Sequence, residues 1–128
     1  MNSRTPDQNE MHGVWILESV TTPLPDGGEQ HPFGERPTGT IIYLAGGTMA
    51  VHIAGSDEAA GKLRAYSGRW RIAGDCVVHD VEESLEPELR GVRLERRALF
   101  DPATGMLTYT TIEAQGPGNP VVVWRKVL

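Results

Sequence analysis

Four side chains able to bind or exchange protons fall on what the sequence predicts to be one inward surface: Tyr66, His79, Glu83 and Arg96. The first three belong to the stretch from Tyr66 to Ser84, which reads as two alternating strands joined by Gly74-Asp75. A two-residue turn makes Ala73 face Cys76 and fixes the register. Ile72 then meets Val77, Trp70 meets His79, Gly68 meets Val81 and Tyr66 meets Glu83, all on one face. The opposite face carries Ser67, Arg69, Arg71, Val78, Asp80 and Glu82 and suits water. On the strand from Arg90 to Phe100, Val92, Leu94, Arg96, Ala98 and Phe100 share one parity, while Arg93, Glu95 and Arg97 share the other. Burying an unpaired polar group costs roughly 1–3 kcal/mol, so a face built only for stability has no use for Tyr66, His79, Glu83 and Arg96. An inward Arg cannot shed its charge and needs a partner, which Glu83 can supply while leaving donors for a ligand carboxylate, enolate or phenolate. The expected roles are proton transfer by His79, oxyanion stabilisation by Arg96 and donation to a carbonyl by Tyr66. Tyr43, Trp70, Phe33 and Phe100, with Glu83, are the expected ligand-contacting wall.

Positioning these groups requires a closed scaffold. The 128 residues allow one domain with a real core, expected over residues 11–128 behind a polar, disordered tail at residues 1–10. Fifteen glycines and nine prolines, with no long helical period, favour an all-β chain. Strands are expected over residues 13–20, 39–44, 48–53, 66–73, 76–84, 90–100, 106–112 and 121–127. Residues 21–37, rich in Pro and Gly, read as one long irregular loop, with His31 and Phe33 placed to reach over a cavity mouth. Residues 55–64 contain the single plausible helical turn, with Ser56 as its cap. Eight short strands joined mostly by tight turns predict an antiparallel up-and-down barrel, because closure removes exposed edges and leaves room for one small ligand.

Other chemistries find little support. A net charge of −5 without a basic patch argues against nucleic acid. His12, His31, His52 and His79 are too scattered to suggest a metal site, and there is no glycine-rich phosphate loop leading into a helix, so no metal or cofactor is expected. Gly-x-Ser-x-Gly is absent. A lone cysteine, Cys76, beside a turn fits a reducing compartment and makes a poor nucleophile. Without an apolar signal core or a run near the ~20 residues that span a bilayer, no membrane association is expected and the location is read as cytoplasmic.

The ordered set Gly13-x-Trp15, Phe33-Gly-Glu-Arg-Pro-Thr-Gly39, Ile42-Tyr43, Gly47-Thr-Met49, Ala65-Tyr66-Ser-Gly68, Val78-His79, Ser84, Arg96 and Trp124 resembles the lipocalin-like domain family of small calycin-type barrels. The resemblance implies an eight-stranded barrel with an internal cavity and a basic residue, Arg125 or Lys126, over Trp15. It does not name a ligand. Two functions follow: a small-molecule-binding barrel for a largely apolar ligand with an acidic or carbonyl group, or a cofactor-free cyclase or isomerase of a polyketide- or polyene-like intermediate in natural-product biosynthesis. A homodimer is compatible with either.

Overall fold

In the computed structural model, which describes residues 3–112 and 119–128, the alternating segments close into a barrel. Its strands are β1 (Gly13–Pro23), β3 (Thr38–Tyr43), β4 (Thr48–Ala54), β5 (Leu63–Ala73), β6 (Cys76–Ser84), β7 (Arg93–Asp101), β8 (Met106–Thr111) and β9 (Val121–Lys126). Each pairs antiparallel with its chain neighbour, and β9 returns to β1. A two-residue strand, β2 (Glu29–Gln30), pairs with Thr22 and Pro23 as a flap beyond the ring. The expected eight-stranded up-and-down barrel is therefore present. The stretch at 21–37 is more regular than expected, since β1 runs on to Pro23 and meets β2.

The predicted hairpin register holds from Ala73↔Cys76 through Trp70↔His79 to Gly68↔Val81. It then slips: Ser67 pairs with Glu83 and Tyr66 with Ser84. Glu82 is the extra residue of a β-bulge, which reverses the facing of everything after it on β6. Gly68 permits this, because a Cβ there would collide with the Asp80 carbonyl. A second bulge, at Glu18 between Leu17 and Ser19, switches β1 from inward Trp15 and Leu17 to inward Val20.

The expected parity of β7 is observed, with Ala98 and Phe100 buried and Arg93 and Arg97 exposed. His52 points outward. Val78, expected in water, is instead buried. Its cross-strand neighbours on that outer face are Arg71 and Glu95, long side chains whose stems can cover it. Ser56 does not act as a side-chain cap. Only a single 3-10 turn (Asp57–Ala59) follows it, and its hydroxyl serves Arg36 N and Asp57 instead.

Within the segment read as a polar tail, Arg4 pairs with the Phe100 backbone, and a short helix, α1 (Gln8–Met11), starts at a capping box formed by Asp7 and Glu10. Met11 and Trp15 are fully buried where this helix closes one end of the barrel, and the Trp15 indole donates to the Met11 carbonyl. Of the two basic candidates, Lys126 lies over Trp15, 5.2 Å from the ring, and also donates to the Glu10 carbonyl. Arg125 points outward to Glu18.

Candidate functional site

Strand geometry sets the height of each inward side chain. Along β5 the inward positions Arg64, Tyr66, Gly68, Trp70 and Ile72 descend about 6–7 Å per step towards the end closed by α1. The lower layers are filled. Phe100 stacks edge-on against Trp15 at 5.8 Å, and Trp70 packs against Tyr43 at 5.0 Å and donates its indole N–H to the Leu44 carbonyl. Trp70 and Phe100, expected to touch ligand, are thus floor packing rather than cavity wall. Inward parity was right for both, but their position along the strand was too deep.

Above this floor lies a cavity of about 230 Å³. Its aliphatic wall includes Val20, Ile41, Val51, Ile53 and Val122, with Trp124 beneath. Pro32 and Phe33 contribute from the long loop. Phe33 both lines the space and pins the loop: its carbonyl accepts from Ser56 N, and Lys62 sits 4.4 Å from its ring centre.

The polar wall is built around His79, which is 2 % exposed. Its Nε2 shares a 2.6 Å hydrogen bond with the Tyr43 hydroxyl, and its Nδ1 shares one of 2.7 Å with the Tyr66 hydroxyl. Tyr43 in turn shares a 2.7 Å bond with the Tyr109 hydroxyl. Tyr66, His79 and Tyr109 border the cavity, whereas Tyr43 lies behind them rather than on the wall where it was expected. Burial, and secondarily the nearby Arg96 charge, push His79 down to about 3, so the imidazole is neutral at pH 7. Burial raises all three phenols as well, and they stay protonated.

Three cationic side chains, Lys62, Arg64 and Arg96, border the cavity, and among the described residues no acidic one does. Arg64 is held by Glu86 through bonds of 2.7 and 3.2 Å. Lys62 donates to the Pro32 carbonyl. Arg96 donates to the Glu95 carbonyl at 3.3 Å, and among the described residues no carboxylate lies within ion-pair distance of it. The expected partner, Glu83, is on the outside: the β6 bulge turns it into solvent, where it pairs with Arg90 at 2.7 Å. Of the four residues expected to cluster, the structure joins Tyr66 to His79, sets Arg96 on the same cavity and removes Glu83.

Tyr109 was missed. On β8 the two parities, Leu107-Tyr109-Thr111 and Met106-Thr108-Thr110, are nearly equal in polarity, so alternation alone does not choose between them.

Residues 12–63 match the lipocalin-like domain family. The matched stretch runs from the end of α1 through the first residue of β5, including Gly13-x-Trp15 and the β3–β4 hairpin. The remaining strands, outside the matched residues, continue the same up-and-down order to closure of the eight-stranded barrel. No curated protein matches the chain. Among the described residues no helix is long and apolar enough to cross a membrane.

Proposed function

We propose that this lipocalin-like barrel binds a small, largely apolar molecule whose acidic or carbonyl end is held by Arg96. The observation that carries this reading is a guanidinium on the wall of a mostly aliphatic cavity with no carboxylate beside it among the described residues. Arg96 is partly buried with no counter-ion among the described residues, and a ligand carboxylate arriving there gains a charge-assisted, planar hydrogen-bonding partner. The space of about 230 Å³ is slightly below the ~300–1,000 Å³ of drug-sized sites, which favours a short acyl chain or a compact ring system. Lys62 adds a second positive charge at the border of the cavity, whereas the charge of Arg64 is offset by Glu86, in a protein whose net charge is −5.

The test is titration of octanoate into the wild-type protein and Arg96→Met by calorimetry. Loss of a charge-assisted bond is expected to weaken binding by about 2 kcal/mol, roughly 30-fold. Equal affinities for the two proteins would refute the assignment of Arg96.

A cyclase or isomerase remains the second reading, favoured by one observation: two cavity phenols are connected through His79 and Tyr43, a path along which a proton could pass from one wall to the other. Both ring nitrogens of His79 are occupied by phenols, so proton movement at a substrate would run through Tyr66 or Tyr109. His79→Phe separates the readings: a binding barrel keeps much of its affinity, whereas a catalyst loses roughly 100-fold or more in rate.

A further inference from the structure

The chain Tyr66–His79–Tyr43–Tyr109 can be counted proton by proton. Three phenols and a neutral imidazole carry four exchangeable protons, and the chain contains three hydrogen bonds. One proton is therefore left over. With Nε2 protonated, Tyr43 can also accept from His79 and Tyr109 together, but its own proton is then buried without a partner, so two arrangements satisfy every internal bond and bury no unpaired donor. If His79 carries its proton on Nδ1, it donates to Tyr66, Nε2 accepts from Tyr43, and Tyr43 accepts from Tyr109. The Tyr66 proton is then free, and Tyr109 can offer the cavity only lone pairs. If the proton is on Nε2, every bond reverses: Tyr66 donates to Nδ1, Nε2–H donates to Tyr43, Tyr43 donates to Tyr109, and Tyr109 has the free proton. Tyr66 and Tyr109 both border the cavity and Tyr43 does not, so in both of these arrangements the surplus proton belongs to a cavity-lining phenol.

We propose that this chain is a two-state donor–acceptor selector, which presents the cavity with one phenol donor and one phenol acceptor at a time and thereby selects hydroxylated carboxylates over their oxo counterparts. It rests on the reading of Arg96 as the carboxylate anchor and adds what the rest of the ligand must carry. The selector requires a ligand hydroxyl seated between Tyr66 and Tyr109, where it would accept from the donating phenol and donate to the other. A ketone oxygen can only accept, so the lone pairs of the second phenol, which already donates within the chain, receive no donor from the ligand, the situation that makes hydrogen-bonding pockets disfavour analogues lacking a donor. Ile41, Val51, Ile53 and Val122 have no polar side-chain atoms, and the other side-chain hydroxyls bordering the cavity among the described residues are those of Thr22 and Thr111.

Tyr109→Phe breaks the symmetry. Three protons then serve two bonds, and the arrangement that leaves no internal proton unpaired is the one with Nδ1 protonated. Tyr66 becomes a fixed donor and the acceptor is lost.

The experiment compares octanoate with its 3-hydroxy and 3-oxo derivatives and with the matching 7-substituted pair, on wild type, Tyr109→Phe and Arg96→Met. In the wild type, at least one hydroxy derivative is expected to bind roughly tenfold or more tightly than its oxo partner. In Tyr109→Phe that preference should vanish or invert. Hydroxy and oxo partners binding alike in the wild type, while octanoate affinity still depends on Arg96, would overturn the selector and leave the Arg96 anchor standing. Octanoate affinity indifferent to Arg96→Met would overturn the anchor itself. Nitrogen NMR of the His79 ring gives a readout that needs no ligand: a neutral ring in the wild type, and Nδ1 protonation dominating in Tyr109→Phe. A tautomer unchanged by that substitution would overturn the selector whatever the affinities.

Discussion

Acidification should destabilise this barrel through His79 before its paired carboxylates contribute. In the folded protein the imidazole is held down to about 3, chiefly by burial and then by Arg96, against an ordinary value of 6.5. The unfolded chain therefore takes up a proton at a pH where the folded protein does not, and stability is lost as pH falls from about 6.5 towards 3. With these two values, the loss between pH 7 and pH 5 is about 2 kcal/mol, from 1.36 kcal/mol per unit of pKa difference. Glu10, which Arg4 holds down at about 2 against an ordinary 4.5, loses its contribution at lower pH, outside that window. Urea unfolding at pH 7, 6 and 5 measures the effect, with His79→Gln as the comparison. The variant starts less stable because the phenols lose their partner, but its drop from pH 7 to pH 5 should be smaller than that of the wild type by about 2 kcal/mol. Equal drops in the two proteins would show that His79 is not held neutral by the fold.

Two further outcomes test the β6 bulge. Glu83→Ala should change stability by no more than about 0.5 kcal/mol and leave octanoate affinity unaltered, because its pair with Arg90 is exposed; a tenfold loss of affinity would return Glu83 to the site. Gly68→Ala should destabilise by more than about 1 kcal/mol in urea unfolding, since the new methyl meets the Asp80 carbonyl, and a neutral result would refute that close approach.

The sequence carried the facing of side chains well and their height poorly. Alternation and the Gly74-Asp75 turn were enough for the register from Ala73↔Cys76 to Gly68↔Val81, and the charges at Arg93 and Arg97 were enough for the facing of β7. Trp70 and Phe100 were correctly turned inward, yet period-two alternation is blind to depth, and both sit in the packed floor. Glu83 failed for a different reason. A bulge adds one residue without changing composition, and its sole advance sign was a glycine, Gly68, inside a strand. The helix α1 had a readable signature as well: Asp7 followed three residues later by Glu10 is a capping box, hidden in a segment whose polarity suggests disorder.

The bulge also separates charge from proton count. By taking Glu83 out of the barrel it removes that carboxylate from the side of Arg96 and of His79. A carboxylate beside the ring would favour the imidazolium, adding a fifth proton to the chain and erasing the distinction between donor and acceptor at the cavity wall. A bound anion poses the same threat, because it offsets the Arg96 charge that helps to keep His79 neutral. Arg96, however, is the smaller of the two causes of the depressed value, and burial is the larger. That burial is already nearly complete, with His79 only 2 % exposed, and does not depend on a ligand. The count of four protons in three bonds requires the ring to stay neutral at pH 7 with octanoate bound, and nitrogen NMR of His79 in the presence of octanoate checks this.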